Sequence, residues 1–271
     1  MLSEHKEGHL GIQEFETRWD PRVSVVLPSY NEKENIEEAI NRISTSLGSQ
    51  LKEIIVVDDN SPDGTWNIVQ KISAKNKTVR LIHRVNEKGL ASALDDGVRA
   101  AQGNVIVWMD CDLGLPPEDI PRLVEQIKKY DVAIGSRYAK GGKDLRPAWR
   151  VALSTGLNLY SSLLLGWQVR DYTSGFVAVR KDVLDHVRWS RQGFGEYFAE
   201  FAYNCVKRGF DVTEVGYEFK DRTKGTSKTQ GLNRLVKLGF QYGIKVLGLR
   251  LKKTKQKILP PHSMPASSQL R

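Results

Sequence analysis

The sequence contains little cysteine or histidine, no long uncharged apolar run, and no acidic residue after Asp221. Its two cysteines, Cys111 and Cys205, lie far apart and lack the spacing of a metal-binding motif. This argues against a disulfide framework and indicates a reducing compartment. The five histidines form no cluster, so we expect no histidine-based metal site. Because no uncharged apolar stretch is long enough to cross a bilayer, we predict no transmembrane helix.

Positive charge is concentrated at the C-terminal end of the chain. The formal net charge is +9, and residues 224–271 contain eleven Lys or Arg and no Asp or Glu. The rest of the chain is therefore close to neutral. A length of 271 residues with 40% hydrophobic content suits one large α/β domain with an appendage. The first 20 residues are polar and of mixed charge, unlike a signal peptide, so we expect a cytoplasmic location.

Strand and helix patterns alternate through the first half of the chain. Runs rich in β-branched residues are separated by segments with apolar residues at helical spacing. This alternation predicts a doubly wound, mostly parallel α/β sheet flanked by helices. The predicted strands cover residues 23–27, 53–57, 79–82, 104–109 and 131–135, and the predicted helices cover residues 31–47, 65–75, 90–101 and 116–129. Further on, we predict helices at 148–165 and 196–208 and a strand at 212–219.

Polar residues follow three of these predicted strands at once, at 29–32, 58–61 and 110–112. The carboxyl ends of parallel strands meet at one edge of a sheet, where ligands bind in such folds. At a turn, Asp110 and Asp112 can converge on one hard cation such as Mg²⁺ or Mn²⁺, which prefers oxygen ligands and bridges to substrate phosphates. Taken alone, such a pair also fits a solvated turn. Of Asp58 and Asp59, we expect one to contact ligand and the other to stabilise the turn.

Seven segments resemble, in content and in order, the motifs of GT-A glycosyltransferases of family 2. The last two are similar to motifs of the polyprenyl-phosphate branch, the dolichyl-phosphate mannose synthase-like enzymes. The resemblance covers roughly residues 22–228. The segments are LPSYNE at 27–32, VDDNSPDGT at 57–65, KGL at 88–90, MDCDL at 109–113, GSRY at 135–138, DYTSGF at 171–176 and DRTKGTSK at 221–228.

The resemblance implies a GT-A fold, a nucleotide-sugar donor, a polyprenyl phosphate acceptor and inversion at the anomeric carbon. It implies that Asp110 and Asp112 hold Mg²⁺ or Mn²⁺ on the donor diphosphate, and that Asp58 or Asp59 contacts the nucleotide base. The implied donor-binding residues are Pro28, Tyr30, Glu32, Asp58, Asp59, Lys88, Asp110 and Asp112. The residues implied around the acceptor phosphate are Arg137, Arg150, Ser154, Arg222 and Lys228, and the implied catalytic residues are Asp112, Arg137, Arg222 and Lys228.

Two positions depart from the family pattern. The family usually has Gln, or a similar polar residue, two positions after the second Asp, where it helps hold the metal; this chain has Gly114. We therefore expect a looser metal shell, with water in the gap. The Arg that often follows the acceptor-site serine, here Ser154, is replaced by Thr155. This weakens the contact to the acceptor phosphate, and we expect Arg150 to compensate.

A phosphate acceptor also explains the lack of an obvious general base. A sugar hydroxyl acceptor needs a base to remove its proton, whereas a phosphate monoester is already a nucleophilic oxyanion at neutral pH. Such an enzyme needs cations that position two anions and neutralise the leaving diphosphate. Arg137, Arg222 and Lys228 suit that role, although most Arg and Lys residues of a protein serve only solubility.

The basic C-terminal region is predicted to form an amphipathic helix. Between residues 232 and 251, apolar residues recur at three- and four-residue steps with basic residues interspersed, although three glycines weaken the pattern. We expect residues 232–257 to dock on an anionic membrane surface. The alternatives are a helix packed on the domain with a solvated basic end, and a tail that binds nucleic acid. We expect no nucleic-acid partner.

The predicted organisation is an N-terminal extension at 1–20, a GT-A domain at 21–228, a basic membrane-interface helix at 229–258 and a disordered tail at 259–271. The expected function is transfer of a hexose, mannose from GDP-mannose, to dolichyl or undecaprenyl phosphate by a peripheral enzyme at the cytoplasmic face of a membrane. One alternative is a family 2 transferase that uses UDP-glucose or another UDP-sugar, with polyprenyl phosphate or a saccharide as acceptor. The other is a non-catalytic nucleotide- or nucleic-acid-binding protein.

Overall fold

The structure, a computed structural model, describes residues 20–193, 195–222 and 232–251, the last range with side chains from residue 237 onward. Its strands are β1 (Val23–Ser29), β2 (Leu51–Asp58), β3 (Val79–His83), β4 (Val105–Trp108), β5 (Val132–Ser136), β6 (Lys143–Asp144), β7 (Val177–Arg180), β8 (Val212–Gly216) and β9 (Glu218–Phe219). Its helices are α1 (Ile36–Leu47), α2 (Thr65–Lys75), α3 (Leu90–Ala100), α4 (Ile120–Gln126), α5 (Ala148–Leu165), α6 (Val183–His186), α7 (Glu196–Lys207) and α8 (Leu232–Leu251). Short 3₁₀ turns cover Gly48–Gln50 and Pro117–Asp119.

Seven of the described strands form one sheet, in the order β3-β2-β1-β4-β7-β5-β8. Neighbouring strands run parallel, except that β7 is antiparallel to both β4 and β5. Strands β6 and β9 form a separate parallel ribbon. The predicted mostly parallel α/β sheet is thereby confirmed.

Helices cover both faces of the sheet, which explains why its strands are almost continuously apolar. On one face, Ile40 of α1 and Leu123 of α4 pack in a core with Val25. On the other face, Leu94 of α3 and Phe201 of α7 pack in a second core, together with side chains of α8. With both faces covered, the exposed part of the sheet is its edge, where the strands end.

Most predicted elements differ from the observed ones by at most two residues at either end, and three differ by more. The helix predicted at 31–47 begins only at Ile36, because Asn31 adopts a left-handed backbone with φ of 56° and a turn precedes the helix. The helix predicted at 116–129 is shorter, with the 3₁₀ turn Pro117–Asp119 leading into α4. The strand predicted at 212–219 is two strands, because the chain leaves β5 after Gly216 and pairs with β6 instead.

Several predicted segments lie outside the described residues. These are Lys228, residues 1–19 of the predicted extension and residues 252–271, so the predicted domain boundaries at both ends remain predictions. Among the helices that the structure describes, none has both the length and the apolar character needed to cross a bilayer.

Candidate active site

The first group of predicted site residues lies where β1 ends. The left-handed turn at Asn31 is a conformation that Asn adopts more readily than most residues. It is followed by Glu32, whose side chain is only 4% exposed. The Nζ atom of Lys88 lies 5.4 Å from the centre of the Tyr30 ring. The fold therefore brings the predicted donor residue Lys88 next to Tyr30, although 57 residues separate them in the sequence.

The two carboxylates at the end of β2 have different partners. Asp58 accepts hydrogen bonds from the amide and the hydroxyl of Ser61, at 2.9 and 2.6 Å, and so closes its own turn. Asp59 accepts hydrogen bonds from Nε of Arg84 and from the amide of Gly89, both across 2.7 Å. Asp58 thus stabilises its own turn, while Asp59 holds Arg84 and the loop at Gly89; the ligand contact of one of the pair stays a prediction.

Arg84 was missed by the sequence analysis. Its side chain is 6% exposed and forms ion pairs with Asp59 and Asp96. It also donates a hydrogen bond to the carbonyl of Gly89 across 3.1 Å, so it fixes the loop that carries Lys88. Its place directly after β3, at the same sheet edge as the other strand-end residues, is the sequence feature that could have identified it.

The carboxylates after β4 lie on a tight turn. Asp110 is exposed and Asp112 is half-buried, and the amide of Gly114 donates a hydrogen bond to Oδ1 of Asp112 across 3.0 Å. Between them, the buried Cys111 thiol donates a hydrogen bond to the carbonyl of Pro28 across 3.3 Å. The cysteine therefore anchors this turn to the end of β1 and leaves the two carboxylates at the sheet edge.

Arg222 connects two of these strand ends. Its Nη2 atom donates a hydrogen bond to Oδ2 of Asp112 across 2.8 Å, and its Nη1 atom lies 3.4 Å from Oε1 of Glu32. Because Glu32 follows β1 and Asp112 follows β4, one guanidinium group joins both. We call Glu32, Asp58, Asp59, Asp110 and Asp112 the strand-end site.

Gly114 permits this approach of Arg222. A Cβ atom at Gly114 would lie 2.8 Å from the carbonyl oxygen of Lys220 and 2.9 Å from the Phe219 ring. The Lys220 amide also donates a hydrogen bond to the Gly114 carbonyl across 3.3 Å. The backbone that leads to Arg222 therefore lies directly against the Asp112 turn, in space that any larger residue at position 114 would occupy.

Among the described residues, the strand-end site offers carboxylate oxygens but no closed metal cage. In the described parts of the chain, no three His, Cys, Asp or Glu side chains are grouped to hold a metal. Mg²⁺ is commonly held by one or two carboxylates, with substrate phosphates and water completing its shell. Asp110 and Asp112 fit such a role for Mg²⁺ or Mn²⁺, with a diphosphate supplying the remaining oxygens.

Arg137 lies in a second, cationic region and is almost completely buried. Its Nε and Nη2 atoms donate hydrogen bonds to the two oxygens of Asp171, at 2.9 and 2.6 Å, and Nη2 also donates to Thr173 Oγ1 across 2.6 Å. Burial alone would lower the pKa of Arg137, but the Asp171 carboxylate outweighs it and raises the pKa. Arg137 therefore stays charged in a fixed orientation.

Around Ser154 the structure brings together one predicted and one unpredicted arginine. Arg150, which was predicted, forms an ion pair with Asp221 at 2.8 Å. Arg146, which was not predicted, donates a hydrogen bond from Nη2 to Ser154 Oγ across 2.8 Å and also pairs with Asp144. We call Arg137, Arg146 and Arg150 the arginine cluster. The sequence feature that could have identified Arg146 is its place before Pro147, just ahead of the helix predicted at 148–165.

Phe219 lies between the strand-end site and the arginine cluster. The guanidinium carbons of Arg137 and Arg146 lie 5.5 and 4.8 Å from the centre of its ring. The same ring also lies next to the Gly114 turn. An acidic site and a group of arginines are therefore neighbours, which suits a reaction between two anionic substrates.

Comparison with known sequences gives a consistent family match. Residues 24–188 match the glycosyl transferase family 2 domain, which confirms the resemblance. Over 78% of its length, the chain is 43% identical to a dolichol-phosphate mannosyltransferase of Pyrococcus furiosus, of which it covers 60%. It is 35% identical to the polyprenol monophosphomannose synthase of Mycolicibacterium smegmatis and 33% identical to the undecaprenyl-phosphate mannosyltransferase of Micrococcus luteus. These matches cover 78% of the chain and 82% and 88% of the two relatives.

Comparison with solved structures supports the fold. Glucosyl-3-phosphoglycerate synthase from Mycobacterium tuberculosis, solved with Mn²⁺ and UDP, is similar with a TM-score of 0.66. The two are 22% identical, and the match covers 91% of this chain and 86% of that one. This likeness, with the sheet order described above, confirms the predicted GT-A fold.

Proposed function

The chain belongs to glycosyl transferase family 2, and we propose that it transfers mannose from GDP-mannose, with inversion, to a polyprenyl phosphate such as dolichyl or undecaprenyl phosphate. The observation that carries this proposal is the placement of the arginine cluster beside the strand-end site, with Phe219 between them. The mannosyltransferases of dolichol and undecaprenyl phosphate among its relatives support the choice of sugar and acceptor.

We assign the donor to the strand-end site. Asp110 and Asp112 would hold Mg²⁺ or Mn²⁺, and the ion would supply positive charge for the leaving diphosphate. Asp59 contacts the base or ribose, together with the predicted residues Pro28, Tyr30, Glu32, Asp58 and Lys88. Arg222, already beside Asp112, contacts the diphosphate as it leaves.

We assign the acceptor phosphate to the side of Ser154, with Arg137, Arg150, Arg222 and Lys228 as its cations. A phosphate oxygen of the acceptor attacks the anomeric carbon while the bond from that carbon to the diphosphate oxygen breaks. Because the attacking oxygen carries no proton at neutral pH, no general base is required. The arginines then act by positioning the phosphate and offsetting charge, for which bidentate guanidinium groups are suited.

An apolar surface formed by α5 and α8 fits a membrane-bound acceptor. The two helices pack together through a hydrogen bond from Tyr160 Oη to the Gly243 carbonyl at 3.1 Å and a contact of Ser161 with Tyr242. Large apolar side chains on both helices and just beyond α5 are exposed: Trp149, Leu153, Leu159, Leu163, Trp167, Phe240, Ile244, Leu247 and Leu251. We propose that this surface, the α5–α8 face, lies in the headgroup region of the cytoplasmic leaflet.

Identification of the lipid product tests the function. The full chain is incubated with dolichyl or undecaprenyl phosphate, Mg²⁺ or Mn²⁺ and one donor at a time from GDP-mannose, UDP-glucose and UDP-N-acetylglucosamine. Extracted lipids are then identified by mass. A hexosyl phospholipid formed from GDP-mannose supports the proposal. A product formed only from a UDP-sugar overturns the choice of donor, and no lipid product from any donor overturns the function.

A further inference from the structure

Arg146 holds a position that links two residues expected to contact the acceptor phosphate. Its Nη2 atom donates a hydrogen bond to Ser154 Oγ across 2.8 Å. Its Nε and Nη2 atoms also donate to the two oxygens of Asp144, at 2.8 and 2.6 Å. The oxygen that accepts from Nη2, Oδ2 of Asp144, also lies 3.5 Å from Nη1 of Arg137. The guanidinium groups of Arg137 and Arg146 are therefore adjacent on one carboxylate, with Ser154 beside them.

The orientation of Arg146 is fixed by its surroundings. Phe219 covers one side of the guanidinium plane, with the central carbon 4.8 Å from the ring centre. The Asp144 side chain is 4% exposed, and burial alone would raise its pKa. The hydrogen bonds from Arg146 outweigh burial and lower the pKa of Asp144. The ion pair therefore stays charged and holds Arg146 in place.

One nitrogen of Arg146 remains available for a ligand. Within the described residues, Nε and Nη2 take part in the hydrogen bonds to Asp144 and Ser154, and no hydrogen-bond acceptor is found for Nη1. The Arg146 side chain keeps 14% of its surface exposed. An anion that binds at the Ser154 hydroxyl would thus meet a fixed, charged donor at Nη1.

We propose that Arg146 is a further ligand of the acceptor phosphate and supplies the positive charge that Thr155 does not. The proposal rests on the proposed function for the nature of the acceptor. Nη1 donates to the phosphate, while Nη2 orients the Ser154 hydroxyl so that its proton points to the same phosphate. Arg146, which Asp144 holds in place before α5, thereby supplies the phosphate contact that an arginine at position 155 would make.

Kinetics of matched variants test the proposal. In Arg146→Gln, we expect the KM for polyprenyl phosphate to rise about 10- to 100-fold, the size of a lost hydrogen bond to a charged group. The KM for GDP-mannose should change less than about twofold. Lys143→Gln removes a positive charge from the same ribbon, where Lys143 pairs with Glu218 on the surface, and serves as the control. An unchanged acceptor KM in Arg146→Gln overturns the proposal.

A rescue experiment separates phosphate binding from a structural role. Thr155 is exposed, so Thr155→Arg can be added to Arg146→Gln without burying a charge. Recovery of at least half of the lost acceptor affinity supports the proposal, since a merely structural loss would not respond. Failure of the rescue, with the donor KM raised as well, overturns it. Arg146→Lys keeps the charge beside Asp144 but lacks the fork of donors. If the Gln variant does not fold, a raised acceptor KM in Arg146→Lys supports the proposal, and an unchanged one overturns it.

Direct binding distinguishes failure of this inference from failure of the function. Farnesyl phosphate is titrated into the wild-type chain and into Arg146→Gln by calorimetry, without a donor. Weaker binding by at least about tenfold in the variant supports the role of Arg146 even if the wild type transfers no sugar. Equal binding in both proteins overturns the role of Arg146 and leaves the proposed function to the analysis of the lipid product.

Discussion

Arg222 donates a hydrogen bond from Nη2 to Oδ2 of Asp112 across 2.8 Å. The positively charged Arg222 side chain therefore binds a carboxylate that is predicted to hold the metal. The other oxygen of Asp112 accepts from the Gly114 amide. A metal ion must therefore share Asp112 with Arg222 or displace it. A bound diphosphate would attract both cations, and so would favour release of Asp112 by Arg222.

Removal of Arg222 should tighten metal binding in the absence of donor. In Arg222→Ala, we expect the Kd for Mn²⁺ to fall about two- to fivefold, because a partly exposed ion pair contributes roughly 1 kcal/mol or less. Titration followed by the EPR signal of free Mn²⁺ measures it. Arg42→Ala, which breaks a surface pair with Glu118, is the control and should leave the Kd unchanged. Weaker Mn²⁺ binding in Arg222→Ala would show that Arg222 does not compete for Asp112.

Loss of Asp112 should stop transfer while leaving the fold intact. In Asp112→Ala we expect kcat to fall at least about 100-fold, because a bound metal ion contributes several kcal/mol of transition-state stabilisation. Asp112 is half-buried at the sheet edge and outside both cores, so the thermal melt should move little. Asp119→Ala, which removes a carboxylate paired with Arg122, should keep its activity. Undiminished transfer by Asp112→Ala contradicts the metal assignment.

Residues placed by periodicity and by strand ends could be predicted from the sequence. Asp58, Asp59, Asp110 and Asp112 follow apolar runs, and the parallel sheet brings such ends to one edge whatever the packing details. The antiparallel β7 between β4 and β5 was beyond such reasoning, because a strand of Val and Ala carries no mark of direction. The sheet order therefore required the tertiary structure.

The contacts of Arg146 and Arg222 could not be predicted from spacing alone. Arg146 reaches Ser154 locally, across the turn between β6 and α5, but the turn geometry that brings them together is not visible in the residue spacing. Arg222 reaches Asp112 through long-range packing, because Gly114 lets the backbone after β9 come close; position 114 was interpreted from the sequence only as a missing ligand. The structure shows that the same glycine is also required by a close backbone approach.

Polar substitutions on the α5–α8 face should weaken membrane binding. For a variant with Phe240, Ile244 and Leu247 all changed to Ser, we expect partitioning into phosphatidylserine-containing vesicles to fall at least about 30-fold, since full burial of each such side chain contributes about 1.5–3 kcal/mol. Sedimentation of vesicles with the protein measures this. Binding of the wild type should also weaken with added salt, because salt screens the attraction between the basic residues and the anionic lipids.

Two comparisons make this membrane test specific. Val85→Ser removes an exposed apolar side chain outside these helices and should leave vesicle binding unchanged. Analytical ultracentrifugation of the triple variant checks whether the same face instead joins two copies of the chain. Vesicle binding that is unchanged in the triple variant contradicts the proposed docking surface.

The buried carboxylate of Glu53 should make stability fall in acid. Burial alone would raise its pKa, but hydrogen bonds from Arg80 and the Gln102 amide outweigh burial and lower the pKa below the ordinary 4.5. A lowered folded-state pKa contributes stability that is present above pH 4.5 and is lost as the pH falls through the folded-state value. Glu53→Gln should therefore be about 1.5–3 kcal/mol less stable than the wild type at pH 7.

The gap between Glu53→Gln and the wild type should narrow as the pH falls below 4.5 towards pH 3, and it closes once the pH is below the folded-state pKa of Glu53. Urea unfolding at pH 7 and at pH 3 measures both differences. Glu125→Gln removes an exposed carboxylate that pairs with Lys128, and should change stability by less than about 0.5 kcal/mol at either pH. A gap for Glu53→Gln that stays the same at both pH values contradicts the linkage.

Alanine should have opposite effects at two helical glycines. A Cβ at Gly97 in α3 would lie 2.4 Å from Cγ1 of Val26 and 2.9 Å from Cγ2 of Val57, both buried in the sheet. Around Gly156 in α5 there is nothing within 4 Å. Gly156→Ala should therefore stabilise by about 0.5–1 kcal/mol through helix propensity, whereas Gly97→Ala should destabilise by about 1–3 kcal/mol through overpacking. Urea unfolding of both variants measures the two shifts, and shifts of the same sign would contradict the packing of α3 on β1 and β2.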